Sequence, residues 1–342
     1  MQQILIFLLG SFFTISVLLV PFINFLYKIK FQRQNQKTKD IFEKSTPIFD
    51  KLHSWKVGTP VGGGFLVITV VTLLTLILII LRKFSGLQIT SIFPFEKEIF
   101  ILLFTFISFG VLGLYDDLIK TFGFKRAKFW GLRFRHKFLL QWILAFLIAG
   151  FLYFSLNIQI INVTFIDVFN VGILFIPFAA FVIVSFVNAV NIADGLDGLA
   201  GGILLISLIA FLAISQGILD STLSIFIGLW IGALIAFLYF NFYPARIWMG
   251  DVGALAFGAT LAVIGLLLGK TIALAVIGGM FVIEAASSAL QLLSKKFLKR
   301  KLIEVAPLHL YFQNKGWEEP KIVVRFWLAG ILFAIIGLLF GL

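Results

Sequence analysis

The 342-residue sequence contains no cysteine and only three histidines, His53, His136 and His309. The first absence removes disulfides, thiolate catalysis and cysteine metal sites together. Three scattered imidazoles do not by themselves build a zinc site. Charge is also scarce: 13% of the residues are Asp, Glu, Lys or Arg, against about 25% in a soluble domain. So few charges cannot cover the two or three soluble domains that this length would otherwise allow. There is no G-x-G-x-x-G motif, and the run Gly62-Gly63-Gly64 lacks the GK[ST] of a P-loop, so neither motif supports nucleotide binding. No internal repeat, low-complexity stretch or appended soluble domain is visible.

What fills the chain is apolar: 61% hydrophobic residues, 42 of them phenylalanine, with a mean hydropathy of +1.08. Apolar runs long enough to cross a bilayer as helix are expected at 4–27, 63–81, 98–115, 138–156, 173–190, 201–215, 222–240, 252–269, 272–293 and 326–342. The alternating polarity of an outer-membrane barrel is missing. The sequence therefore predicts an all-α polytopic membrane protein of about ten helices, a single membrane-embedded domain over 1–342. The first span lacks a basic leader region and a small-residue cleavage site, so it is expected to be a retained helix.

The net charge of +12 raises the question of nucleic acid, but its placement answers it. The stretches after spans one, three, seven and nine hold 24 of the 28 basic residues. By the positive-inside rule that side is cytoplasmic and both termini face outward. Topology and anionic headgroups account for the excess, and no nucleic-acid partner is expected. The cytoplasmic stretches, 28–62, 116–137, 191–200, 241–251 and 294–325, are where chemistry is sought.

Of the sixteen carboxylates, Glu96, Glu98, Asp167 and Asp220 are expected to solvate outer loops. Asp40, Glu43, Asp50, Glu304, Glu318 and Glu319 sit among basic residues and are expected to form solvated charged faces. Five others adjoin apolar helix at the cytoplasmic boundary: Asp116 and Asp117 in GLYDDLIK, Asp194 and Asp197 in NAVNIADGLDGLAGG, and Asp251 in NFYPARIWMGDVG. A lone carboxylate is costly there. Asp194 and Asp251 would serve as helix caps on a purely structural reading, but adjacent Asp116–Asp117 repel each other, and one cap needs one acid. Acids from three loops converge around something positive. With no sulfur and scarcely any imidazole, an all-oxygen set suits Mg²⁺, which binds one or two carboxylates together with substrate phosphate.

Lys120, four residues after Asp116, falls on the same helix face. With Lys137 and Lys56 it is expected to balance phosphate charge. Asn188, Asn191 and Asp194, three apart, share one face of a helix end, where buried amides bond either neighbouring helices or a ligand. Gly195 and Gly198 permit tight turns. Trp248 is either an interface aromatic or a stacking platform. Glu284 is the one carboxylate deep inside an apolar run and has no chemical role assigned by its position. His309 follows Pro307 in a cytoplasmic loop.

In their order, KVGTPVGGG, DDLIK, NAVNIADGLDGLA, FNFYPARIWMGDVG and APLH…KGWEEPKIVVRFW resemble the polyprenyl-phosphate N-acetylhexosamine-1-phosphate transferases. Within them the match is to the phospho-N-acetylmuramoyl-pentapeptide transferase family, over about 56–327. The resemblance implies transfer of phospho-MurNAc-pentapeptide from UDP to undecaprenyl phosphate, giving lipid I and UMP, with Mg²⁺, at the cytoplasmic side of a bacterial inner membrane. It implies Asp251 as chief Mg²⁺ ligand, with Asp116 and Asp117 supplying a base or nucleophile and holding metal or phosphate. Gly195, Leu196 and Asp197 would line a uracil pocket with Trp248 stacking. Asn191, Asn241, Lys120 and Lys137 match polar positions around the site, His309 matches the first histidine of a triple-histidine motif, and the family implies a homodimer. Leu310 and Tyr311 depart from that motif, which bears on the sugar–peptide end of the substrate. A sister transferase of GlcNAc-1-phosphate is the nearest rival. A cation-coupled transporter, the distant alternative, would place ionisable groups near the midplane of repeated halves, whereas here the acids cluster at one boundary and no repeat is visible.

Overall fold

The computed structural model describes residues 1–32, 56–85, 89–122 and 134–342. Asp40, Glu43, Asp50 and His53, with much of the first and second cytoplasmic stretches, lie outside them. The helices follow the apolar runs: α1 Gln2–Lys28, α2 Gly63–Ser85, α3 Phe95–Phe122, α4 Phe134–Leu156, α5 Phe175–Ala193, α6 Leu199–Gly217, α7 Ser221–Asn241 and α8 Gly250–Leu267. They continue with α9 Thr271–Ile277, α10 Gly279–Leu293, α11 Leu308–Asn314 and α12 Glu319–Gly341. A short antiparallel hairpin, β1 Ile160–Val163 with β2 Asp167–Asn170, joins α4 to α5. Among the described residues nine helices are long and apolar enough to cross a membrane, and a bent pair makes a tenth. The chain is thus an all-α polytopic membrane protein.

The ninth expected span departs from the prediction. Residues 272–293 do not form one helix: α9 and α10 meet at Gly278–Gly279, and the pair bends by 77°. A glycine pair is a recognised site of helix breaking, because it has the least helix propensity short of proline. The run is apolar on both sides of the glycine pair, so hydropathy alone could not reveal the break.

α8 is the centre of the bundle. It packs against α3 on one side and α5 on another and is buried along nearly its whole length. Lipid offers no hydrophobic drive between helices, so close approach through small residues holds them together. α8 is accordingly rich in glycine and alanine. Phe106 of α3, Trp230 of α7 and Phe257 of α8 interlock, with centroids 5.2–5.7 Å apart, within the range of favourable aromatic pairs.

Within α3, Glu98 and Asp116 are 18 residues apart, about 27 Å at 1.5 Å per residue, so its two acidic ends lie roughly a hydrocarbon thickness apart. At the Glu98 end, the expectation of loop-solvating acids fails for two of the four. Glu98 is buried and accepts a hydrogen bond from Ser91 Oγ. Asp220, also buried, caps α7 through Leu223 N at 3.0 Å, and burial raises its carboxyl above the ordinary range. Thr90 completes this end, its carbonyl accepting from Ser221 N and Thr222 N and its hydroxyl donating to Leu219 O. Glu96 and Asp167 remain exposed, as expected.

Candidate active site

At the opposite end, Asp116 and Asp117 lie within the last turns of α3, which extends past them to Phe122 rather than stopping at 115. Asp251 lies in the first turn of α8. The two helices touch here because Gly113 has no side chain: a Cβ on it would collide with the Asp251 carbonyl. Residues one turn after Gly113 are thereby carried to the start of α8. Gly113→Ala must push α3 off α8, and overpacking of this kind costs about 1–3 kcal/mol. The expected readout is a lower thermal midpoint together with loss of activity.

Both Asp116 and Asp117 are buried. Lys120 Nζ lies 3.0 Å from Asp116 Oδ2 and 2.7 Å from Asp251 Oδ2. Lys137, in the first turn of α4, reaches Asp116 Oδ2 at 2.9 Å and also bonds Asp251 Oδ2. Asp117 Oδ2 accepts the Val252 amide at 3.0 Å, so it caps α8 from a neighbouring helix and meets the positive end of that helix's dipole. Three carboxylates against two ammonium groups leave one formal negative charge in excess.

A second cluster surrounds Lys56. Its Nζ bonds Asp197 Oδ1 at 2.7 Å and Glu319 Oε1 at 2.5 Å, with all three side chains buried. Lys56 thus pairs with Asp197 and Glu319, whereas Lys120 and Lys137 pair with Asp116 and Asp251. Asp197 Oδ2 accepts the Ala245 amide at 2.9 Å. Asn241 accepts Gly198 N at 3.2 Å and donates to Ile247 O at 2.9 Å, tying the loop after α5 to the loop after α7. Trp248, half-buried, has Lys56 Nζ 5.9 Å from its ring centroid. Its backbone is held by the Lys56 segment, Trp248 N donating to Pro60 O and Gly63 N to Trp248 O. Glu319 was expected on a solvated face and is instead buried.

His309 occupies a third cluster. Its amide donates to Glu284 Oε1 at 3.1 Å, and its Nδ1 pairs with Glu284 Oε2 at 2.8 Å, both side chains buried. Nε2 packs against Gly195, where a Cβ would overlap the ring. Glu284, unassigned by sequence, is the residue that fixes His309. Leu310 is buried beside it and Tyr311 half-buried. Asn188 takes the structural course, donating to Gln141 Oε1 of α4 at 2.9 Å and to Val184 O. Asn191 and Asp194 are half-buried at the end of α5, and Leu196 is buried.

Comparison with known proteins rests on this arrangement. A family model described as glycosyl transferase family 4 matches residues 99–269. A phospho-N-acetylmuramoyl-pentapeptide-transferase of Bacillus pumilus is 35% identical over 340 residues, covering 99% of this chain and 98% of that protein. One of Caldanaerobacter subterraneus is 37% identical over 333 residues, 97% of each, and one of Rickettsia africae is 36% identical over 349, covering 96% of this chain and 91% of that protein. The chain belongs to the phospho-N-acetylmuramoyl-pentapeptide-transferase family. The α3–α8 contact and its acids fall inside the residues that the glycosyl transferase model matches, whereas Lys56, His309 and Glu319 fall outside them.

Proposed function

We propose that this chain transfers phospho-MurNAc-pentapeptide from UDP-MurNAc-pentapeptide to undecaprenyl phosphate, releasing UMP and lipid I, at the cytoplasmic side of a bacterial inner membrane. Family membership over nearly the whole chain supports the reading. The observation that carries it is the meeting of α3 and α8 acids with Lys120 and Lys137 at one end of the bundle. Phosphoryl transfer asks chiefly for positioning and charge neutralisation, and this centre is built of those elements.

The donor chemistry fits Mg²⁺. All candidate ligands are carboxylate oxygens, and Asp116 and Asp251 already meet around one positive group, Lys137. Among the described residues no three acids or histidines form a ready cage, so protein would supply one or two ligands and leave the rest to water and phosphate, the pattern Mg²⁺ favours. Asp251 and Asp117 would hold the ion, which would neutralise pyrophosphate charge. Lys120 and Lys137 are the nearest donors to phosphate oxygens entering beside Asp116. Asp116 takes the proton of the lipid phosphate, whose oxygen then attacks the β-phosphorus, or Asp116 attacks that phosphorus itself and its acyl phosphate then passes the phospho-sugar to the lipid phosphate; in either course the bond to the UMP oxygen breaks and UMP leaves. The Gly195–Asp197 loop, braced by Asn241 and bordered by Trp248, is assigned the nucleoside.

Purified protein with Mg²⁺ and undecaprenyl phosphate, offered UDP-MurNAc-pentapeptide or UDP-GlcNAc separately, tests this by UMP release. UMP from the pentapeptide donor alone is expected. UMP from UDP-GlcNAc alone moves the chain to the sister activity, and none from either donor by folded protein defeats the proposal.

A further inference from the structure

Glu319 stands outside the carboxylate–lysine centre, yet its one carboxylate joins parts of the protein that lie far apart in sequence. Its Oε1 accepts Lys56 Nζ at 2.5 Å and the Asp197 amide at 2.6 Å. Lys56 is 263 residues away and Asp197 122. From Lys56 the chain continues through Pro60 and Gly63, which bond the backbone of Trp248, and Gly64, which bonds Met249 O. From Asp197 the link passes to Ala245 N. Both arms from Glu319 thus end on the 245–249 loop that leads into α8. A buried polar group held by two charge-assisted hydrogen bonds is a stiff joint. None of Asp116, Asp251, Lys120 or Lys137 is among the groups bonded to Glu319 Oε1.

We propose that Glu319 is a positioning residue for the nucleotide end of the donor, setting the Lys56 segment and the Gly195–Asp197 loop at fixed spacing beside Trp248. The inference rests on the functional reading above, which gives that loop and Trp248 to the nucleotide. What matters is the acceptor atom Oε1, not the charge. Lys56 already has Asp197 as counter-ion, and Glu319 Oε2 is buried with no hydrogen-bond partner among the described residues. A glutamine amide fits where Oε2 lies without displacing a donor, and leaves Lys56 and Asp197 a one-to-one pair.

The test is a comparison of Glu319→Ala and Glu319→Gln in the UMP-release assay, with UMP binding measured separately by calorimetry. Glu319→Ala should raise donor KM by about 10- to 100-fold, the cost of misplacement by an ångström. Its kcat should stay within about threefold, the signature of lost binding and not of lost chemistry. UMP affinity should fall in parallel, and KM for undecaprenyl phosphate should not move. Glu319→Gln should restore donor KM to within about threefold of the parent. Unchanged donor KM and UMP affinity in Glu319→Ala overturn the proposal, as does an equal rise of both substrates' KM values, which marks general loosening. If Glu319→Ala does not fold, Glu319→Asp replaces it: one methylene shorter, it keeps the charge but cannot span Lys56 Nζ and the Asp197 amide together. A raised donor KM then supports the inference, and an unchanged one overturns it. A parent protein that neither releases nor binds UMP fails the functional reading itself, a result distinct from an active parent indifferent to residue 319.

Discussion

Asp251→Ala should lower kcat for UMP release by about 10²- to 10³-fold, the range seen when one fixed electrostatic group is removed from an active site. Asp251 Oδ2 is the atom on which both Lys120 and Lys137 converge. Without it the two ammonium groups keep only Asp116 as shared partner, and the centre loses the negative charge that would attract a metal ion. The protein should stay folded. The Val252 amide remains capped by Asp117, and losing an acid from a first helical turn costs only about 0.3–1 kcal/mol. Asp251→Asn keeps the shape and drops the charge, so it should be nearly as inactive as the alanine variant. An asparagine variant retaining more than about a tenth of the parent rate would show that shape, and not charge, is what the position supplies.

Glu284→Leu should destabilise the folded protein by about 1–3 kcal/mol for each of the two buried His309 groups it leaves unserved. The carboxylate serves His309 twice, at the backbone amide and at Nδ1, and neither group has access to water. A fall in the thermal midpoint in detergent measures this. The pairing account makes a sharper demand of the double variant Glu284→Leu with His309→Leu. Replacing both partners by apolar groups removes the orphaned polar atoms, leaving only the backbone amide unserved, so much of the lost stability should return. Additive losses in the double variant would mean that the two residues do not act as a pair. Because the His309 ring underlies Gly195, activity should fall with Glu284→Leu even below its unfolding temperature.

The placing of these residues separates what a linear reading can see from what it cannot. Asp116 and Asp117 are legible because adjacent acids beside apolar helix have no cheap explanation, Asp251 because it adds a carboxylate from another loop at the same boundary, and Lys120 because helical spacing puts it one turn from Asp116. Glu319 was not visible. It follows Glu318 directly, and Glu318 is exposed while Glu319 is buried; composition treats the two alike, and only the helix that starts there tells them apart. The one available hint was Pro320, which marks a helix start and puts Glu319 in its first turn. Glu284 stood out as anomalous, but its partner is 25 residues away, beyond any periodicity. Glu98 and Asp220 escape a linear reading because nearness to a loop says nothing of whether a carboxylate points into it. The bend at Gly278–Gly279 escaped because hydropathy measures apolarity and not direction.

The Lys56–Glu319 contact also carries a consequence in time. At about 5–20 residues per second, the ribosome completes the 263 residues between them roughly 13–53 s after making Lys56. Throughout that interval the lysine has no Glu319 to receive it. It waits in water, one of the positive charges in the stretch between α1 and α2. The same side chain is thus a solvated charge first and an interior joint last, and α12 is the helix that converts it.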